Sequence, residues 1–116
     1  MFEFLKKLDE KFAQTEEGSR FADITSQARA AGLCEYGRLT AVYLTPAQLG
    51  GSEEMTNIVF LPPEAAKRKE ELDESFLRRF GENCSYRTQV QYEKDSVIPR
   101  SITVWANGEM ERIVVW

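Results

Sequence analysis

Asn107-Gly108 stands between two runs of β-forming residues, Ser101 to Ala106 and Glu109 to Trp116. Asn-Gly is the pair that most readily takes positive φ at both centres of a type I′ turn, so the C-terminus reads as a two-residue β-hairpin. A loop of that length also sets the register. Ala106 falls opposite Glu109, Trp105 opposite Met110, Val104 opposite Glu111, Thr103 opposite Arg112, Ile102 opposite Ile113 and Ser101 opposite Val114. Because side chains alternate along a strand, Ile102, Val104, Ala106, Ile113 and Val115 share one face, and Trp105, Met110, Val114 and Trp116 share the other. Both faces are apolar, whereas a sheet with one wetted face alternates apolar and polar residues. The hairpin is therefore expected to be covered on both sides or to leave one side for a partner.

The rest of the chain must supply that cover. Leu5, Leu8 and Phe12 have helical spacing in residues 2–17, and Ser19 stands where it would cap a second helix carrying Phe21, Ile24 and Ala28 as far as Gly32. Residues 38–44 are rich in β-formers at both parities, and residues 57–61 form another apolar run that ends at Pro62-Pro63. A turn-rich stretch, 45–54, joins them into a hairpin. Residues 63–80 are the clearest helix, with Pro63 in the first turn, Gly81 at the stop, and Ala65, Leu72, Phe76 and Phe80 as its buried stripe. Glu64–Arg68, Lys67–Glu71 and Glu74–Arg78 are spaced as i,i+4 pairs on its outside. From Cys84 to Tyr92 the residues alternate as in a half-buried strand.

This order predicts an α+β fold in one domain, 1–116. It has a helical segment at 1–32, a hairpin at 34–61, a crossover helix at 63–80 and a three-stranded antiparallel meander at 84–116. The expected sheet is a mainly antiparallel one of five strands with the helices packed on it.

Several function classes are excluded or weakened. The chain has no histidine, which removes Ser-His-Asp triads, Cys-His pairs and histidine-ligated metals. Cys34 and Cys84 are too few and too far apart for a zinc site, so no metal or cofactor is expected. Gly50-Gly51-Ser52 lacks the lysine of a phosphate-binding loop and is followed by Glu53-Glu54, so it reads as a plain flexible loop. Glu70 and Glu74 share a helix face, but with no group nearby to shift a pKa they read as a solvated charged surface. With 15 basic and 19 acidic residues the net charge is −4, so a nucleic acid or an anionic membrane is not an expected partner. The start of the chain carries charges every few positions, which suits neither a signal peptide nor a membrane span, and the expected setting is the cytoplasm.

Two functional readings follow. In the first the protein is a non-enzymatic interaction or assembly module, a homodimer or a binder of another protein, through Trp105, Met110, Arg112, Val114 and Trp116. In the second it is a cone-shaped α+β domain that binds a small molecule or acts on it. Tyr36, Tyr43, Tyr86, Tyr92 and Trp105 would then line the cavity, with Glu111 as an acid held against Val104.

Overall fold

The computed structural model describes residues 21–116. The expected helix at 2–17 and the capping role of Ser19 lie outside them. The elements in order are α1 (Gln27–Glu35), β1 (Thr40–Tyr43), β2 (Ile58–Leu61), α2 (Pro63–Phe80), β3 (Tyr86–Gln91), β4 (Ser101–Ala106) and β5 (Glu109–Val114), with short 3-10 turns at Ala47–Leu49 and Met55–Asn57. The class is α+β, as the sequence predicts.

The single five-stranded sheet is a correction. The strands form two antiparallel sheets, β1-β2 and β3-β4-β5. The physical reason is α2, which lies between the two groups of strands in the chain and places its apolar side chains between them in space. Val59 and Leu61 of β2, Ala65, Ala66 and Phe76 of α2, Ile102, Val104 and Ala106 of β4, and Ile113 of β5 make one continuous core. Apolar burial is satisfied by packing both sheets on the helix, so strand pairing between them is not required.

α1 also differs from expectation. It begins after Ser26, whose hydroxyl accepts from the Arg29 N–H at 3.2 Å, and it continues through Gly32 to Glu35. A good cap outweighs the ~1 kcal/mol penalty of an interior glycine when tertiary contacts hold the helix. Those contacts are a second core, in which Ile24 and Ala30 meet Leu39, Phe60 and Ile98. The β1-β2 sheet is thus covered by α2 on its Val59/Leu61 face and by α1 on its Phe60 face.

The loop between β1 and β2 is pinned rather than plain. Asn57 accepts from the Thr45 N–H at 2.9 Å and donates to the Thr45 carbonyl at 3.0 Å and the Ser52 carbonyl at 2.8 Å. Gly51 sits so close to Thr45 that an added Cβ would lie 1.7 Å from its carbonyl oxygen, so only glycine fits.

The C-terminal hairpin has the register derived from its turn, pair for pair from Ser101↔Val114 to Ala106↔Glu109. Asn107 and Gly108 both have positive φ, 48° and 85°. The turn also holds the neighbouring strand, since the Asn107 side chain accepts from the Ser85 N–H at 2.8 Å and its own N–H donates to the Ser85 carbonyl at 3.0 Å.

Candidate functional site

The hairpin divides as its alternation requires. Ile102, Val104, Ala106 and Ile113 are buried beneath α2. On the opposite face Met110 and Val114 remain 59% and 54% exposed, and Trp105 is half-buried beneath the Arg87 guanidinium, which stacks 4.5 Å from the ring centroid. An arginine plane over an indole keeps the ring ordered while leaving its edge accessible. Arg112 is on the same surface, exposed, with one nitrogen 3.5 Å from the Ser101 hydroxyl.

Trp116 does not belong to this surface. The ladder ends at Val114, and Trp116 turns into the second core, where its ring lies 6.2 Å from Phe21 and its indole N–H donates to the Ile98 carbonyl at 3.2 Å. The buried carbonyl and the Phe21 ring offer the indole more than solvent does, so simple alternation fails at the last residue.

The tyrosines expected to line one cavity are dispersed. Tyr36 follows the end of α1 and is 81% exposed, Tyr92 follows β3 and is exposed, Tyr43 is on β1, and Tyr86 is drawn inward from the start of β3. Glu111 opposes Val104 but is exposed to solvent. Among the described residues the strands form two sheets packed on a helix and not the curved single sheet that a cone needs.

A cluster that the expected sites omit lies at the centre of the fold. Lys69, one turn before Asp73 on α2, is fully buried and donates to the Leu44 carbonyl at 2.8 Å, the Tyr86 hydroxyl at 2.9 Å and the Asp73 carboxylate, with the Tyr43 carbonyl at 3.4 Å. The Tyr86 hydroxyl in turn donates to the other oxygen of Asp73. The three side chains tie α2 to the end of β1 and the start of β3, which links both sheets. Burial pushes Asp73 above the ordinary carboxylate value, and Lys69 and Tyr86 draw it part of the way back. Burial likewise lowers Lys69 against the opposing pull of Asp73. Tyr86 is pushed up, first by burial and then by Asp73. Every buried polar side-chain atom among the described residues has a partner, and the ammonium has no donor left for a ligand. The cluster is a bracket rather than a reaction centre.

A signal for it exists in the sequence. Lys69 falls on the stripe of Ala65, Leu72 and Phe76, so a charged residue occupies a buried helical position. Glu64–Arg68, Lys67–Glu71 and Glu74–Arg78 have the same i,i+4 spacing, yet the i,i+4 ion pair found among the described residues is Lys69–Asp73.

The bracket predicts an alkaline weakness. A tyrosine whose folded pKa lies above its unfolded one contributes stability that is complete below about pH 10 and lost as pH rises beyond it. Lys69 acts in the opposite sense only below its unfolded value of about 10.4, so above that pH the Tyr86 loss is unopposed by it. Melting curves of the native chain and Tyr86→Phe should accordingly be well separated at pH 7 and converge above about pH 10. A constant separation would show that Tyr86 ionises freely.

No helix among the described residues is long and apolar enough to cross a membrane, and no group of three or more Cys, Asp or Glu among them is placed to hold a metal ion. No protein-family model matches the chain, and no curated protein matches it either.

Proposed function

We propose that the protein is a non-enzymatic interaction module that assembles as a homodimer through the outer face of the three-stranded sheet. The observation that carries this reading is the contrast between the faces of β4-β5. On one, Ile102, Val104, Ala106 and Ile113 are buried beneath α2, and the other offers Met110 and Val114 around the Trp105–Arg87 stack. Trp, Met and Arg are the residues enriched where protein surfaces meet, because they offer large contact area at modest ordering cost. Arg112 stands between Met110 and Val114 on the same face, opposite Thr103, and Trp116 packs against the second core. Two free cysteines suit a reducing compartment, which supports a cytoplasmic setting.

Light scattering at micromolar concentration tests the reading. The native chain should have the mass of a dimer, and Trp105→Ala or Val114→Glu should weaken the dimer by about 2 kcal/mol or more while leaving the circular dichroism spectrum unchanged. A native monomer across the accessible concentration range would overturn the homodimer. Unfolding of both variants would show that the face is core.

A further inference from the structure

β1 is an edge strand, and its outer edge can be read from the ladder. The Leu44 N–H donates to the Asn57 carbonyl at 2.8 Å, in register with Val42↔Val59 and Thr40↔Leu61. Antiparallel pairs alternate, so Ala41 and Tyr43 turn their N–H and C=O groups away from β2. One of these four groups is engaged, the Tyr43 carbonyl, by Lys69 at 3.4 Å. Among the described residues nothing pairs with the Ala41 carbonyl or the Tyr43 N–H. An acceptor and a donor that flank Val42 in this way match one residue of a parallel strand, whose N–H and C=O would reach both.

Beside this edge runs a groove of about 680 Å³. Its second wall is α2, through Ala66, Lys67, Glu70, Asp73, Glu74 and Leu77. These residues recur at helical spacing and form a stripe beside the one that faces the core. Asp73 is neutralised by Lys69, whereas Glu70 and Glu74 are exposed, make no ion pair among the described residues and outnumber the exposed Lys67 two to one. The edge strands β1 and β5 also differ. β5 carries Glu109, Glu111 and Arg112, and Arg68 occupies its Val114 carbonyl at 2.8 Å, the charged protection that keeps edge strands from pairing. Thr40, Ala41, Val42 and Tyr43 carry no charge.

We infer that the groove between the β1 edge and α2 receives an extended segment of another protein as a parallel third strand of the β1-β2 sheet, with a basic side chain of that segment over Glu70 and Glu74. Main-chain bonds to Ala41 and Tyr43 would give the affinity, as in other cases of strand addition. Side chains at alternate positions of the segment point toward α2, where the two carboxylates select lysine or arginine and Ala66 and Leu77 supply apolar contact. This site is separate from the proposed dimer face.

An end-capped, fluorescein-labelled peptide of alternating valine and lysine is a suitable probe, because as a strand it puts every lysine on one side. Fluorescence anisotropy should show saturable binding to the native chain. Methylating the lysine backbone nitrogens, which keeps the charge and removes the main-chain donors, should weaken binding about tenfold or more. So should replacing the lysines by glutamates, or the double substitution Glu70→Lys with Glu74→Lys. Hydrogen exchange at the Tyr43 amide should slow by about tenfold on saturation, which reports the edge directly. Tyr43→Pro, which deletes that outward donor, should abolish binding; if it fails to fold, the methylated peptide asks the same question of the native chain. Equal affinity for the methylated peptide would show charge attraction alone and overturn the inference. Absence of binding, or protection at β4 or β5 in place of Tyr43, would overturn it equally. Peptide capture is read at Tyr43 and dimerisation from mass, so either result stands without the other.

Discussion

Lys69→Ala is expected to destabilise the protein by about 3–5 kcal/mol, measured by chemical denaturation at neutral pH. The substitution leaves the Asp73 carboxylate buried with only the Tyr86 hydroxyl as partner and strips the Leu44 carbonyl of its ammonium donor. Most of the loss arises from the group left behind, since a buried charge without its counter-ion cannot recover its hydration. Replacing the pair together, Lys69→Met with Asp73→Leu, should therefore cost less than the single substitution. The double variant keeps apolar volume at both positions and leaves the Tyr86 hydroxyl an acceptor in the Leu44 carbonyl, 3.2 Å away. A loss below about 1 kcal/mol for Lys69→Ala would place the ammonium in solvent.

Phe76→Ala is expected to cost a similar amount, about 3–5 kcal/mol, and to loosen both sheets at once. Phe76 is fully buried in the core shared by β2, β4 and β5, where its ring also stacks against Phe80 at 6.1 Å. Among the described residues no strand ladder joins the two sheets, so this core, the Lys69 bracket and the second core, where Phe60 meets Ile98, couple them. Far-ultraviolet circular dichroism and tryptophan fluorescence should thus report coincident unfolding in the native chain, with both midpoints lowered together by the substitution. Separate transitions would mean that the sheets hold together independently of α2.

The parts of the fold legible in the sequence are those governed by neighbours in the chain. Asn107-Gly108 requires a type I′ turn, and a two-residue turn leaves one register, so the pairing from Ser101↔Val114 inward follows from local stereochemistry. Pro63 and Gly81 likewise bound α2 at the residues that begin and follow it. The cap of α1 is not legible in this way: the sequence pattern points to Ser19, whereas the helix that packs Ala30 against Phe60 begins after Ser26.

The candidate sites divide in the same way. Trp105, Met110 and Val114 share a surface because alternation within one hairpin requires it, whereas Trp116 leaves that surface for a partner far away in the chain, the Ile98 carbonyl. Spacing puts Lys69 on the buried stripe of α2, but Lys69 and Asp73 become a bracket only when Leu44 and Tyr86 arrive from elsewhere to desolvate and bond them. Local stereochemistry determines turns, caps, strand register and which side chains share a face. The number of sheets, the side of α2 that meets them and the polar groups enclosed there depend on contacts between residues distant in sequence. Such contacts are decided by burial, which short-range pattern does not encode.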